Sequence, residues 1–397
     1  MGARCLYISY DGMLEPLGQS QVLGYLEKLA TNNEIHLISF EKKADWNEAD
    51  VRREMKNRIR AAGIFWHPRR YHKRFSLLAT GYDICIGVLL GLWLQKKYSL
   101  EIIHARSYVP AVMALILKKA SGLKFVFDMR GFWADERVDA GQWSAQGAVY
   151  RMAKWFERRF LLNADHVVSL TRAGVREMEK FPYLSGRMPV VSIIPTCADL
   201  EKFSPQKPVD ERLTLGYVGT TQGWYVFDPV VKGFLYLQRI RPEARFLIVS
   251  RDSHDYIRGR LIAGGVPMDN VEIRSAKHEE VPSLIAGMAA AIFFIKPVFS
   301  KKASAPTKLA EFLGCGIPCL SNDGVGDMGE LLESEAVGIA IQSFDDESVK
   351  NGVQRLLKLM DDPGLAERCI STAKTHFHLD EGVERYQRIY EILADRK

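Results

Sequence analysis

Short apolar, β-branched runs recur along the chain and alternate with longer segments whose apolar positions repeat at three and four residues. The first pattern predicts strands at 5–9, 35–40, 102–104, 124–127, 166–170 and 190–194, and a second series at 214–218, 245–250, 271–273, 291–295 and 317–321. The second pattern predicts helices at 19–30, 84–96, 109–120 and 150–162, then at 230–240, 282–287, 307–313 and 349–360. Strands separated by helices of this length imply parallel sheets covered on both faces, the α/β class with doubly wound sheets. Segment 194–208 carries three prolines and no period, so it reads as a linker between domains at 1–200 and 206–378. The last segment, 379–397, places Val383, Tyr386, Ile389, Tyr390 and Leu393 on one helical stripe and is expected to pack back on the first domain. Two such domains facing each other would leave a cleft between the carboxyl ends of their strands, where ligands bind.

At 397 residues, with 47% apolar and 26% charged positions, the chain is neither disordered nor a disulfide scaffold. Its six cysteines form no CxxC pair or zinc-ligand spacing, and the opening residues run straight into a strand without a leader pattern, so a reduced, cytoplasmic setting is expected. Charge is uneven: the first 200 residues hold 29 Lys and Arg against 20 Asp and Glu, the remainder 25 against 28. A basic first half suits an anionic partner such as a phosphorylated lipid or a bilayer surface, and equally a plain basic surface. No zinc finger, RNP-type strand or helix-turn-helix signature points to nucleic acid. Segment 75–94 is apolar, but Asp83 interrupts it and leaves a 12-residue uncharged run at 84–95, which favours a buried or interfacial helix over a span. The preceding basic cluster at 69–74 fits peripheral contact with an anionic membrane, or a solvated loop before a core helix.

Two loops carry candidate chemistry. Between the first strand and first helix, Gly18 and Gln19 open a helix, so backbone there could approach an anionic ligand. Residues 296–318 run from a strand end through Lys296, Lys301 and Lys302 to Ser304-Ala305-Pro306-Thr307-Lys308, with Ser304 as a capping residue and Pro306 in the first turn. Free amides and Lys308 at that end suit a diphosphate, and Glu311 one turn later suits vicinal sugar hydroxyls. A capped surface helix with a solvated glutamate has the same pattern. At other strand ends, Asp128 and Arg130 follow 125–127, His104 follows 102–103, and Arg251 follows 245–250. Trp133 and Arg137, near Trp143, Tyr150 and Trp155, suit a saccharide or lipid-phosphate acceptor, or one amphipathic helix with a solvated face.

These residues carry a resemblance. Ile194-Pro195-Thr196-Cys197-Ala198-Asp199, continuing to Phe203, is similar to the interdomain signature of the retaining glycosyltransferases of family four, which have the two-domain GT-B fold. Residues 304–312 resemble a variant of that family's donor-site motif, and the opening YISYDGMLEPLGQSQ with FDMRGFWADE at 127–136 resembles members acting on surface polysaccharides. The resemblance implies a UDP- or GDP-linked sugar donor and a glycan or polyprenyl-phosphate-linked acceptor. It implies donor contacts at Gly18, Gln19, Gly219, Lys296, Ser304, Pro306, Thr307 and Glu311, with Glu311 on the ribose. Lys308, Arg251, Asp128 and Arg130 become the expected catalytic groups, and Trp133, Arg137 and His104 the acceptor contacts. The chain departs from the family pattern twice: the first glutamate of the E-x7-E motif falls at Ala303, and Gly219 is followed by Thr220-Thr221 without the usual arginine. No Asp-x-Asp occurs, so neither a metal nor another cofactor is expected. A catalytically silent GT-B subunit and a GT-B sugar-nucleotide epimerase are the competing readings. The expected location is the cytoplasm, with a peripheral place on the inner face of the cell membrane.

Overall fold

The computed structural model describes residues 2–72, 76–206, 212–277 and 279–395. Lys73, Arg74 and Phe75 of the basic-to-apolar junction, Lys207 and Pro208 of the linker, and Arg396 and Lys397 lie outside them. The chain divides into two compact units, one made of residues 1–195 with 379–397 and one of residues 196–378.

Among the described residues the first unit holds seven parallel strands: β1 (Arg4–Ser9), β2 (Glu34–Glu41), β3 (Phe65–Arg70), β4 (Ile102–Arg106), β5 (Lys124–Asp128), β6 (His166–Ser169) and β7 (Val191–Ile193). Their order in the sheet is β3-β2-β1-β4-β5-β6-β7. β4 is buried along its whole length and β1 and β5 on all but their first residue, as strands covered on both faces should be. The described residues of the second unit hold six: β8 (Thr214–Val218), β9 (Arg245–Val249), β10 (Val271–Arg274), β11 (Ala290–Ile292), β12 (Cys319–Asn322) and β13 (Gly338–Ile341), in the order β10-β9-β8-β11-β12-β13. Strand order reverses between β1 and β4 in one sheet and between β8 and β11 in the other, which fixes where each can receive a ligand.

Two strands escape the apolar-run criterion. β3, Phe-Trp-His-Pro-Arg-Arg, is a half-exposed edge strand, and Arg69 and Arg70, read as part of a membrane-facing basic cluster or of a solvated loop, are its last two residues. An edge tolerates Pro68, which has no N–H to give. β13 is four residues long, and Gly338 is required there because a Cβ would lie 2.3 Å from the Cys319 carbonyl oxygen. The helix expected at 84–96 spans Ser76–Tyr98, so Asp83 sits inside it rather than before it. The carboxylate is fully buried and accepts hydrogen bonds from the Tyr10 hydroxyl (2.7 Å), the His72 backbone N–H (3.2 Å) and the His72 ring (2.6 Å). By length and composition this helix could cross a membrane, with a mean hydropathy of 1.8.

The last helix, Leu379–Ala394, belongs to the first unit. Asn33 donates to Gln387 at 2.6 Å, Arg385 to the Ile193 carbonyl at 3.0 Å, and Lys28 pairs with Asp380. Its buried stripe, Tyr386, Ile389, Tyr390 and Leu393, is the one the periodicity marks.

Candidate functional site

In the second unit the sheet's point of reversal holds a buried lysine and a neighbouring glutamate, both with displaced titration. β8 ends at Val218, and Gly219 follows with φ +113°, a region that favours glycine. A Cβ on Gly219 would also lie 3.0 Å from the Lys308 Nζ, so the glycine makes room for that ammonium. Lys308 is the second residue of the helix Thr307–Gly314 and is buried. Its Nζ donates to the Val218 carbonyl at 2.7 Å and stands 3.7 Å from the Tyr225 ring centroid, with the Tyr217 and Phe293 rings each at 5.3 Å. Burial pushes the ammonium down to about 7, against the pull of Glu311. Glu311, one turn on, forms no hydrogen bond or ion pair among the described residues, and burial pushes its carboxyl up to about 7 against the pull of Lys308. A buried cation spending one of its three donors and a carboxyl spending none form a pair awaiting a ligand.

The loop after β8 is held by a residue that the sequence reading missed. Asp252, just past β9, accepts from the Thr220 hydroxyl (2.8 Å), the Thr221 backbone N–H (2.6 Å) and the Thr221 hydroxyl (2.8 Å). Burial pushes its carboxyl up, but the Thr221 and Thr220 bonds outweigh this and hold it low. The loop then returns through Tyr225, which forms a bridge to Ile295, so Tyr225 is the floor beneath Lys308. Asn322, at the end of β12, ties down the far side by accepting from the Ile295 N–H and donating to its carbonyl. Two threonines with an acid past the neighbouring strand were the available signal.

Around this centre several expected residues take other places. The helix starts at Thr307 with Pro306 as N-cap, so Ser304 is not the capping residue; it follows the 3-10 turn Phe299–Ala303 and its N–H donates to the Lys301 carbonyl. Pro306 and Thr307 lie at the helix entrance, partly exposed, and no side chain caps it. Lys296 is exposed, its backbone N–H donating to the Trp224 carbonyl at 2.9 Å, while Lys301 is buried with its Nζ 3.9 Å from the Trp224 ring centroid. Arg251 does not join Lys308. Its Nη2 reaches the Ala276 carbonyl beyond β10, on the side of β9 away from β8, because β9 lies between β10 and β8.

The first unit corrects more. Gly18 is buried, and a Cβ there would lie 2.0 Å from the Gly12 carbonyl oxygen, so its small size serves the loop's own packing rather than a ligand's approach. The loop is fastened by buried Glu41, which accepts from the Met13 and Leu14 N–H groups, and Gln19 opens a five-residue π-helix whose side chain donates to Leu14 at 3.4 Å. Asp128, the last residue of β5, and His104, in the middle of β4, are each 1% exposed, which removes His104 from any acceptor surface and Asp128 from direct contact with substrate. Tyr390 bonds His104 Nδ1 at 2.7 Å, Tyr386 donates to Asp128 Oδ2 at 3.2 Å, and His104 Nε2 and Arg106 each lie 3.7 Å from the same oxygen. Burial pushes the Asp128 carboxyl up, but Arg130, His104 and Arg106 outweigh it and keep it ionised; burial lowers His104. Arg130 occupies the left-handed region at φ +58°, followed by Gly131 at +122°, a strained turn at the sheet's crevice end. Trp133 stacks under Arg137 (5.4 Å) and edge-on against Trp143 (5.1 Å), and Arg137 donates to Gln142. Tyr386 and Tyr390 were legible only as apolar positions, although two buried phenols four residues apart need partners for both hydroxyls.

With this geometry in hand, residues 38–193 match the family model of the glycosyl transferase 4-like domain. No curated protein matches the chain by sequence. Among solved structures, sucrose-phosphate synthase from Thermosynechococcus elongatus superposes with a TM-score of 0.71 at 14% identity over 100% of both chains. HepE of Anabaena, in complex with UDP and glucose, gives 0.69 at 12% identity over 98% of this chain and 99% of its own. WaaG, a glycosyltransferase involved in lipopolysaccharide biosynthesis, gives 0.63 at 14% identity over 97% and 99%. Together these likenesses give the chain the GT-B fold.

Proposed function

We propose that this protein transfers a sugar, with retention, from a nucleotide diphosphate donor to a glycan or lipid-linked acceptor in surface-polysaccharide assembly on the cytoplasmic side of the cell membrane. The observation that carries the reading is Lys308, a buried, partly discharged ammonium at the reversal of the second sheet, beside a carboxyl that forms no hydrogen bond or ion pair among the described residues. HepE, of the same fold, has been solved with UDP-glucose, which favours a nucleotide sugar here.

In the proposed reaction the bond from the sugar C1 to the diphosphate oxygen breaks and its electron pair goes to that oxygen. The acceptor hydroxyl bonds to C1 from the same face, and its proton passes to the departing phosphate. Lys308 would meet the charge growing on the diphosphate, with the open amides of the Thr307–Gly314 helix beside it, and Glu311 would hold ribose hydroxyls. Because Lys308 can supply that charge and no Asp-x-Asp is present, the reaction is read as metal-independent, and turnover should survive EDTA. The deciding experiment is a thermal-shift panel of UDP- and GDP-sugars followed by donor hydrolysis. Stabilisation of roughly 2.7 kcal/mol at a hundredfold excess over Kd, with slow release of sugar, supports transfer. Ala303, apolar and buried where the family has its first glutamate, favours a second reading as a silent subunit; nucleotide binding without hydrolysis would select it.

A further inference from the structure

From β3 to β4, β4 to β5 and β5 to β6 the chain steps the same way across the first sheet. Right-handed crossovers therefore put the helices Ser76–Tyr98, Tyr108–Ser121 and Ala148–Asn163 on one face, where they pack side by side. The first is seated hard against the second: a Cβ on Gly87 would lie 2.4 Å from the Met113 Sδ, and one on Gly91 2.7 Å from a Leu117 methyl. Its opposite side is apolar and open. Leu78 (80% exposed), Tyr82, Leu89 (68%) and Trp93 (52%) form one stripe, and Ile116, Met152 and Trp155 continue it on the other two helices. A helix apolar on every side is normally covered, yet only 28% of this one's apolar window is buried.

The charges on the same layer have one sign. Lys96, Lys97, Lys119, Arg151, Arg158 and Arg159 are exposed. The three helices hold two carboxylates, Asp83 and Glu157, and both are buried and turned inward, Glu157 onto Tyr108 (2.5 Å) and Lys154 (2.5 Å). Two of the cations stand over exposed indoles, Lys97 4.7 Å from the Trp93 ring centroid and Arg159 4.6 Å from that of Trp155. Such pairs suit a boundary between hydrocarbon and charged headgroups.

We propose that this three-helix face docks flat on a bilayer containing anionic lipid, with Leu78, Leu89, Trp93 and Trp155 in the headgroup–acyl boundary and the six cations on the phosphates. The Ser76–Tyr98 helix lies in the plane rather than across it, since the two glycine contacts bind it to the Tyr108–Ser121 helix and buried Asp83 ties it to Tyr10 and His72, just past β1 and β3. A second copy is the poorer occupant, because a two-fold contact would set the six cations against themselves. The surface is independent of the donor assignment.

The test is flotation of the full chain with phosphatidylcholine vesicles, with and without about one-third phosphatidylglycerol. Recovery is expected with the anionic vesicles alone and falls with salt. Lys96→Glu/Lys97→Glu and Leu89→Ser/Trp93→Ser should each lower the partition coefficient roughly tenfold or more, at about fivefold per lost cation. Circular dichroism and the UDP thermal shift should stay at the wild-type level, so a loss of flotation is not a loss of fold. Equal recovery with neutral vesicles, or flotation unchanged in both double variants, overturns the proposal. So does a stable dimer that Leu89→Ser/Trp93→Ser makes monomeric. A wild type that floats but shows no nucleotide-induced shift would strike the donor reading and leave this one intact.

Discussion

Replacing Lys308 by Met separates what the site costs from what it does. An ordinary lysine titrates at 10.5, and Lys308 is held at about 7, so keeping it charged inside the fold costs on the order of 5 kcal/mol at 1.36 kcal/mol per tenfold. Its hydrogen bond to the Val218 carbonyl returns about 1 kcal/mol. Methionine keeps the stem against Tyr225, Tyr217 and Phe293 and removes the charge. Lys308→Met should therefore match or exceed the wild type in stability, by about 1–4 kcal/mol, the range for buried charges exchanged for apolar groups. The sign with pH follows from the lowered value. The lysine's contribution to stability is full above pH 10.5 and is lost as pH falls toward 7, so the variant's advantage should shrink as pH rises through that window. Turnover should move the other way, down about 10²–10³-fold, the effect of deleting one donor to a developing oxyanion. Denaturant melts across pH 7–10 and donor hydrolysis measure the two arms. A variant that melts lower than wild type while hydrolysing donor at the wild-type rate would refute the assignment, leaving Lys308 a structural residue.

Other expectations follow from neighbouring observations. Glu311→Gln should weaken nucleotide binding in calorimetry, and because the raised carboxyl's contribution is present below pH 4.5 and lost as pH rises through about 7, the wild type should lose stability over that interval while the variant does not. Tyr386→Phe strips a donor from buried, ionised Asp128 and should cost about 1.5–3 kcal/mol in denaturant unfolding; an unchanged midpoint would show that the 3.2 Å contact contributes nothing. His67, held at about 4 by burial and then by His36, stacks on His36 between β2 and β3, so stability should be full above pH 6.5 and decline as pH falls toward 4, a decline that His67→Gln should reduce, the remainder belonging to His36, which burial also lowers.

The sequence made the second unit's strand ends and its Thr307–Gly314 helix legible because each is signalled locally, by an apolar run, a Ser-Ala-Pro entrance and a lysine. What it hid was pairing at a distance. Asp252 serves Thr220 and Thr221 across two parallel strands, and Tyr386 and Tyr390 meet Asp128 and His104 from more than 250 residues away. No periodicity marks such partners, and for that reason His104 and Asp128 looked like open strand-end groups when the last helix in fact closes over them. Ser304 was misplaced by two residues for a simpler reason: Pro306 and its preceding residues satisfy the same local preferences as a capping serine.

The Ser76–Tyr98 helix shows how one pattern can serve two ends. Its composition is uniform enough that hydropathy alone cannot choose between core, interface and span. The choice is made by three residues that break the uniformity. Gly87 and Gly91 admit Met113 and Leu117, and Asp83 finds Tyr10 and His72, so one side is committed to the sheet. Those commitments use residues spaced four apart, which leaves Leu78, Leu89 and Trp93 on the opposite stripe exposed. Selection on a purely soluble helix would be expected to place charge on that stripe, as it does at Lys96 and Lys97. Leucine and tryptophan stand there instead over four turns, which is the arrangement that the proposed docking on lipid would require.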